Sequence, residues 1–287
     1  MGEYKDRLLA LNYELRDLEK KEKTLFLEDS FWKKAAGKYT ATWRDNLEEK
    51  IPDKLEETLR KAFVGAFKAV FRGGKTLIDK TYDSEALEAE HRAMLDDIAE
   101  KGDRSLLKKL RRSGGKRHLK AMGVATTEGV GLGLLGIGIP DVPILIANLI
   151  RLCTMSAKSH GVDVDCEAEQ LYMLLLIELV AEPTEAREAV NEKLNQLSKA
   201  IDQGEHVHMN LSEQMTKTAE ALATAMLFSH FVMGLPIIGV AGGLYNTVIV
   251  SQLHQLAEIK YQMRLLNRCK ADIVRAYHSV KGENKSL

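Results

Sequence analysis

ALATAMLFSHFVMGLPIIGVAGGLYNTVIVSQLHQLA, residues 221–257, contains no Asp, Glu, Lys or Arg, in a 287-residue chain of which those four types make up 29%. A run of that length has too little polar surface to face water alone and must be covered by protein or by lipid. Gly234, Pro236, Gly239, Gly242 and Gly243 interrupt it, so it reads as helix, break, helix. At about 1.5 Å per residue, 237–256 alone is long enough to span a bilayer, but the cluster of Gly and Pro fits a hairpin better than a straight span. The rival reading is that both halves form the buried centre of a soluble bundle.

A second zone has the same grammar. Between residues 129 and 150 the only charge is Asp141, and GLGLLGIGIPDVP (131–143) divides the zone in two. A helix break is predicted at Pro140/Pro143. Gly131, Gly133 and Gly136 let neighbouring backbones approach closely, as small residues do in apolar bundles. The two zones do not align as a repeat, but both should pack together as the central layer.

Outward from these zones the chain is amphipathic helix. Tyr4, Leu8, Leu11, Leu15, Leu18 and Leu25 recur on a heptad-like beat, which makes 3–28 an arm able to pack on another helix. After Ile51-Pro52-Asp53 comes a stripe of Leu55, Leu59, Ala62, Phe63, Ala66, Phe67 and Val70, ended by Gly73-Gly74. Residues 84–112 are helical and highly charged. Asp165 is the expected N-cap of a helix over 166–181, with Glu167 and Glu169 in its positive first turn. Pro183 separates that helix from one with Val190, Leu194, Leu197 and Ile201 on one face, closed by Gly204. The last helix runs through Ile259, Met263, Leu266, Ile273 and Tyr277. Strand alternation is absent from the sequence. The fold class is therefore all-α: a multi-helix bundle with two Gly/Pro-broken apolar helical hairpins packed centrally, broken at Gly131, Gly133, Gly136, Pro140, Pro143, Pro236, Gly239 and Gly243. Its organisation reads as a charged helical arm over 1–45, packed on the rest as an antiparallel pair, a helical domain over 46–280 and a polar tail over 281–287.

Lys+Arg and Asp+Glu balance at 41 each, which gives no basic field to gather nucleic acid. Cys153, Cys166 and Cys269 have neither zinc spacing nor the density of a disulfide scaffold. With no signal-peptide pattern in the first thirty residues, the expected location is cytoplasmic, extending to the inner face of the cell membrane.

Motifs that resemble chemistry have plainer explanations. Gly131 to Gly136 spells GxGxxG, but no strand precedes it. Arg72-Gly73-Gly74-Lys75-Thr76 lacks the first glycine of a phosphate loop and reads as a helix end. Glu205-His206-Val207-His208 would need further ligands to hold a metal and reads as a solvated turn. The alternation Asp163, Asp165, Glu167, Glu169 lacks the glycine of a calcium loop and reads as helix capping. Ser229-His230 are chain neighbours on a helix, a placement that does not by itself aim a base at a nucleophile. No cofactor, metal site or catalytic set is assigned. The informative groups are single polar side chains in apolar helices: Glu128, Asp141, Arg151, Glu178, His230 and Asn246. Each needs a partner, a wet cavity or an interface. Asp141 is expected either to cap the half-helix after the break or to pair with Arg151.

Three blocks carry a resemblance. Glu128-Gly129 leading into Gly-Ile-Gly-Ile-Pro-Asp-Val-Pro, Arg151 through His160-Gly161-Val162-Asp163, and Leu235-Pro236-Ile237-Ile238-Gly239-Val240-Ala241-Gly242-Gly243-Leu244-Tyr245-Asn246 running on to Tyr261-Gln262-Met263-Arg264-Leu265-Leu266 together resemble the EcsC family. The resemblance covers roughly residues 50–267 and leaves the arm 1–45 outside. That family takes its name from the third protein of an operon whose first two products form an ABC transporter. The resemblance therefore implies fold and compartment rather than a reaction.

The expected function is that of a non-enzymatic, membrane-associated helical protein, accessory to a membrane transporter or inserting its apolar hairpins into the bilayer. The alternative is a soluble helical enzyme or hydrophobic-ligand-binding protein built on a buried acidic and histidine cluster. The expected partners are a membrane or a hydrophobic protein, with a helix partner for residues 3–28 and no nucleic acid.

Overall fold

The computed structural model describes residues 2–28, 52–74, 83–100, 141–233 and 242–283. Their regular elements are all helices: α1 (Gly2–Glu28), α2 (Asp53–Ala69) with a π-helical turn (Val70–Gly74), α3 (Ser84–Glu100), α4 (Asp141–Ser159), α5 (Glu167–Ala181), α6 (Thr184–Gln203), α7 (Leu211–Met233) and α8 (Gly242–Glu283). The chain is the all-α multi-helix bundle that its periodicity predicts.

α8, with 42 residues, is about 63 Å long and acts as the spine. Side-chain pairings fix the sense of the helices around it. Residues Tyr172 and Glu169 of α5 meet Tyr261 and Arg264, so α5 runs against α8. Glu22 and Tyr4 of α1 meet Lys260 and Tyr277, so α1 also runs against it. Asn191 and Asp202 of α6 meet Lys260 and Arg264, and Ser156 of α4 meets Glu258 while Arg268 reaches the carbonyl of His160 just past α4; α4 and α6 therefore run with the spine. α7 lies antiparallel to α5, with Gln214 beside Glu178 and Thr218 bonded to the Leu174 carbonyl.

α5 is buried from Leu171 to Ala181 without a break, the mark of a helix enclosed on all sides, and it touches α4, α6, α7 and α8. The described parts of the two uncharged zones join the same core: Val142, Ile146 and Leu149 from one, Leu222, Leu227, Ile249 and Leu256 from the other. Residues 129–140 and 234–241 lie outside the described residues, and so do the expected breaks Gly131, Gly133, Gly136, Pro140, Pro236 and Gly239.

Several local expectations change. α4 begins at Asp141, within the expected Pro140/Pro143 break, and Pro143 sits inside its first turn, where a proline removes no helical hydrogen bond. The N-cap of α5 is Cys166, which makes no side-chain cap bond; Asp165 lies one residue earlier, its amide bonded to Asp163 Oδ1. α1 is one continuous helix, and the rest of the expected 1–45 arm, residues 29–45, lies outside the described residues. No described helix is long and apolar enough to cross a membrane. From Gly242 onward the run 237–256 belongs to α8, which continues unbroken from its apolar start into Glu258, Lys260 and Arg264; residues 237–241 lie outside the described residues.

Two helix ends depend on glycine. α6 closes with Gly204 at φ 68°, whose neighbour Glu205 returns its amide to the Ala200 carbonyl. After α4, Gly161 also adopts φ 68°, and the amides of Gly161 and Val162 return to the carbonyls of Lys158 and Ala157. At Gly204 a Cβ would meet nothing within 4 Å, whereas at Gly161 it would fall 2.1 Å from the Nε2 of His91 on α3.

Candidate functional site

Where α1, α4, α5, α6 and α8 come together, the core carries a belt of charge. Arg264 forks onto Glu169, with Nη1 donating to Oε2 at 2.9 Å and Nη2 meeting Oε1 at 2.7 Å. Nη2 also donates to Asp202 Oδ1 at 2.9 Å. The arginine and Glu169 side chains are 4% and 3% exposed, Asp202 20%, so the first pair has no recourse to water while the third member does. The guanidinium lies 4.8 Å from the Tyr172 ring centre and 5.7 Å from that of Tyr261. Burial opposes its charge, yet the hydrogen bonds to Glu169 and Asp202 outweigh that, holding Arg264 above its ordinary range. Burial drives both tyrosine hydroxyls upward, so neither serves as a base near neutrality.

One turn earlier on α8, the buried Lys260 donates to Asn191 Oδ1 at 2.6 Å and Asn195 Oδ1 at 2.8 Å. Glu22 Oε1 of α1 lies 2.6 Å from the same nitrogen, an ionic contact off the line of an aligned hydrogen bond. Burial pulls Lys260 below the usual lysine range, and Glu22 only partly restores it. Beside the belt, Arg268 Nη2 donates to the carbonyl of His160 at 2.8 Å, which ties the α4 end to α8. His160 Nδ1 donates to the Ser156 carbonyl at 2.7 Å. His91 covers Gly161, and burial followed by the Arg268 charge lowers its pKa.

At the far end of α5 lies a different arrangement. Glu178, only 5% exposed, accepts a hydrogen bond from Gln214 Nε2 on its Oε2. Its Oε1 has no partner among the described residues. A cavity of about 190 Å³ opens there between α5, the start of α6 and α7, lined by Glu178, Ala181, Glu182, Pro183, Lys217, Glu220, Ala221 and Thr224. Burial raises the Glu178 pKa against the opposing effects of Gln214, Lys193 and Lys217. Nearby Arg187, pushed down to about 10 mainly by burial, closes the α5 terminus through the carbonyls of Val180 and Glu182.

Of the six polar groups singled out from the sequence, Arg151 and Glu178 are buried and lie on different helices, α4 and α5. Glu128 lies outside the described residues. Asp141 opens α4, His230 lies in α7, and Asn246 and Gly243 lie in α8, all with side chains outside the described set. The His206 and His208 rings stack at 4.8 Å in an exposed turn, and no group of three ligating side chains forms among the described residues. What sequence reading missed is the belt. Its signal is present in the helical spacing: Leu253, Ala257, Tyr261 and Arg264, with Lys260, fall on one face of α8, placing two cations at core positions.

A family model for the EcsC protein family matches residues 12–266. The chain belongs to the EcsC protein family. No curated protein and no solved structure matches it. The EcsC match begins well inside α1, so most of the arm that motif resemblance left outside belongs to the family's span. Two of the EcsC-like blocks acquire physical reasons here: His160-Gly161 is the left-handed cap clasped by Arg268 and His91, and Tyr261 with Arg264 forms the belt.

Proposed function

We propose that this protein is a non-enzymatic helical accessory protein that works at the cytoplasmic surface of a membrane, beside a membrane transporter, using its two Gly/Pro-broken apolar zones as the contact. The observation that carries this reading is the uncharged run 221–257 in a chain that is otherwise rich in charge; its described flanks, residues 221–228 and 249–257, are largely enclosed in the core, so the contact proposed is the Gly/Pro-rich stretch between them. It is supported by the character of the belt, where Arg264, Glu169, Asp202 and Lys260 satisfy one another around side chains that are mostly enclosed, an arrangement suited to holding helices and not to turning over a substrate. No described helix is long and apolar enough to cross a bilayer; the contact proposed is a peripheral one or a shallow hairpin.

Flotation of the full-length protein with anionic phospholipid vesicles tests this, together with carbonate and detergent washes of native membranes. The protein should float with the vesicles at 0.5 M salt and leave native membranes only with detergent. Recovery in the soluble fraction at low salt, with no flotation, would overturn the proposal. A soluble ligand-binding reading is favoured by one observation, the cavity at Glu178.

A further inference from the structure

We propose that His91 is a pH-sensitive latch: its neutral ring seals α3 onto the glycine cap of α4, and protonation of the ring releases α3 and uncovers that cap. The ring lies so close over Gly161 that a Cβ there would fall 2.1 Å from Nε2, 2.4 Å from Cε1 and 2.7 Å from Cδ2. Gly161 holds φ 68°, and the cap is closed by the amides of His160, Gly161 and Val162 on the carbonyls of Ala157 and Lys158. Among the described helices α3 packs chiefly on α4, and Leu87, one turn before His91, is the one apolar side chain that it buries among the described residues. Apolar anchorage that small leaves the imidazole a large share in keeping the helix down.

The surroundings suit a neutral ring and oppose a charged one. His91 Nδ1 is buried and has no hydrogen-bond partner among the described residues, and the same holds for Nε of Arg268. Arg268 stands over the same cap, with Nη2 on the His160 carbonyl, and its charge reaches the ring. A protonated imidazole donates through both nitrogens, so it would set a second cation near a guanidinium and leave Nδ1–H with nothing to accept it. The titratable groups that the packed elements bring here are Lys158 and His160 at the end of α4, Asp163 in the turn after it, Arg268 on α8, and Glu88 and Arg92 on α3. Asp163, Glu88 and Arg92 are exposed, His160 Nδ1 is engaged by the Ser156 carbonyl, and among the described residues Arg268 is the charge that acts on His91. The carbonyl end of α4 would attract a cation, but the carbonyls of Ala157, Lys158 and His160 are already taken by the cap amides and by Arg268. Burial and Arg268 thus hold the docked ring below 6.5, whereas a released α3 takes up its proton near 6.5. Docking is therefore full above 6.5 and weakens as pH falls below it, by up to about tenfold per pH unit until the lowered value is passed.

Hydrogen exchange of the full-length protein, read by mass spectrometry from pH 8 to pH 5 and corrected for the intrinsic rate, tests this. Protection of α3 should fall severalfold between pH 7.5 and 5.5 while that of α5 stays level. His91→Phe keeps a flat ring over Gly161 and takes no proton, so its α3 protection should stay level over the whole range. Where that variant does not fold, an NMR titration of the His91 ring in the wild type decides, with a midpoint below 6.5 expected. Wild-type α3 protection that ignores pH, a fall shared equally by α5, the same fall in a folded His91→Phe variant, or a ring that titrates at 6.5 or above would overturn the proposal.

Discussion

α5 buries two glutamates, one in each half, and the bundle treats them in opposite ways. Glu169 meets the fork of an arginine that is itself bonded to Asp202 and flanked by two tyrosine rings. Glu178 meets one amide and an open cavity. A buried charge pair fixes the register of the helices that contribute to it, here α5 and α8, because any slip would strand a charge away from both partner and water. A carboxylate with one oxygen unengaged specifies no partner helix so tightly. It leaves a place for a proton or a ligand instead. The first region is architecture, and the second is where this fold has capacity to respond.

The largest test of that contrast removes the fork. Arg264→Met should destabilise the protein by about 3–5 kcal/mol, since Glu169 is left charged, enclosed and without a counter-ion. Adding Glu169→Gln should recover part of the loss. Urea denaturation measures both, and a single-variant effect below about 1 kcal/mol would show that the belt yields as freely as the Glu178 site.

A smaller effect comes from the glycine caps that lead the chain into and out of the belt. Gly204→Ala should cost about 1–2 kcal/mol, the strain of a left-handed alanine in open space. Gly161→Ala has the same strain and must also displace His91, so it should cost more. In a His91→Ala background the two glycine substitutions should converge, which a double-mutant cycle on melting curves would show.

The smallest effect concerns pH. Burial lifts the native Glu178 pKa above 4.5, so between 4.5 and that raised value the folded chain keeps a proton that the unfolded chain has released. Stability therefore falls as pH rises through that window. Glu178→Gln removes this loss: the variant should gain on the wild type as pH rises above 4.5 and hold the gain at neutrality. A difference that stays constant from pH 4 to 8 would place Glu178 in water.

Much of this was legible in one dimension. The Leu11, Leu15, Leu18 and Leu25 beat, the α2 stripe through Phe63 and Phe67, and the Gly204 stop all follow from helical spacing and from the freedom of glycine, which act within a few residues. Pro143 shows how a proline's meaning depends on position: in the first turn of α4 it removes no helical hydrogen bond, whereas deeper in the helix it would break it. Glu178 was found because a charge amid Leu, Ile and Val stands out. Glu169 was read only as a first-turn acid favoured by the helix dipole, because its real partner lies 95 residues away on α8.

By itself, then, the sequence determined that this chain is helical, where several helices stop, which faces are apolar and that two zones are almost without charge. Those are local properties, set by the backbone and by nearest neighbours along the helix. The tertiary structure alone decided which charges meet. Lys260 resembles any helical lysine until Glu22, Asn191 and Asn195 arrive from two other helices to surround it. Glu169 and Glu178 carry the same side chain on the same helix, and only the packing of α7 and α8 against α5 makes one a clamp and the other the floor of a cavity. The physical reason is that the free energy of a buried charge is set by what lies within a few ångströms of it in space, and sequence distance carries almost no information about that.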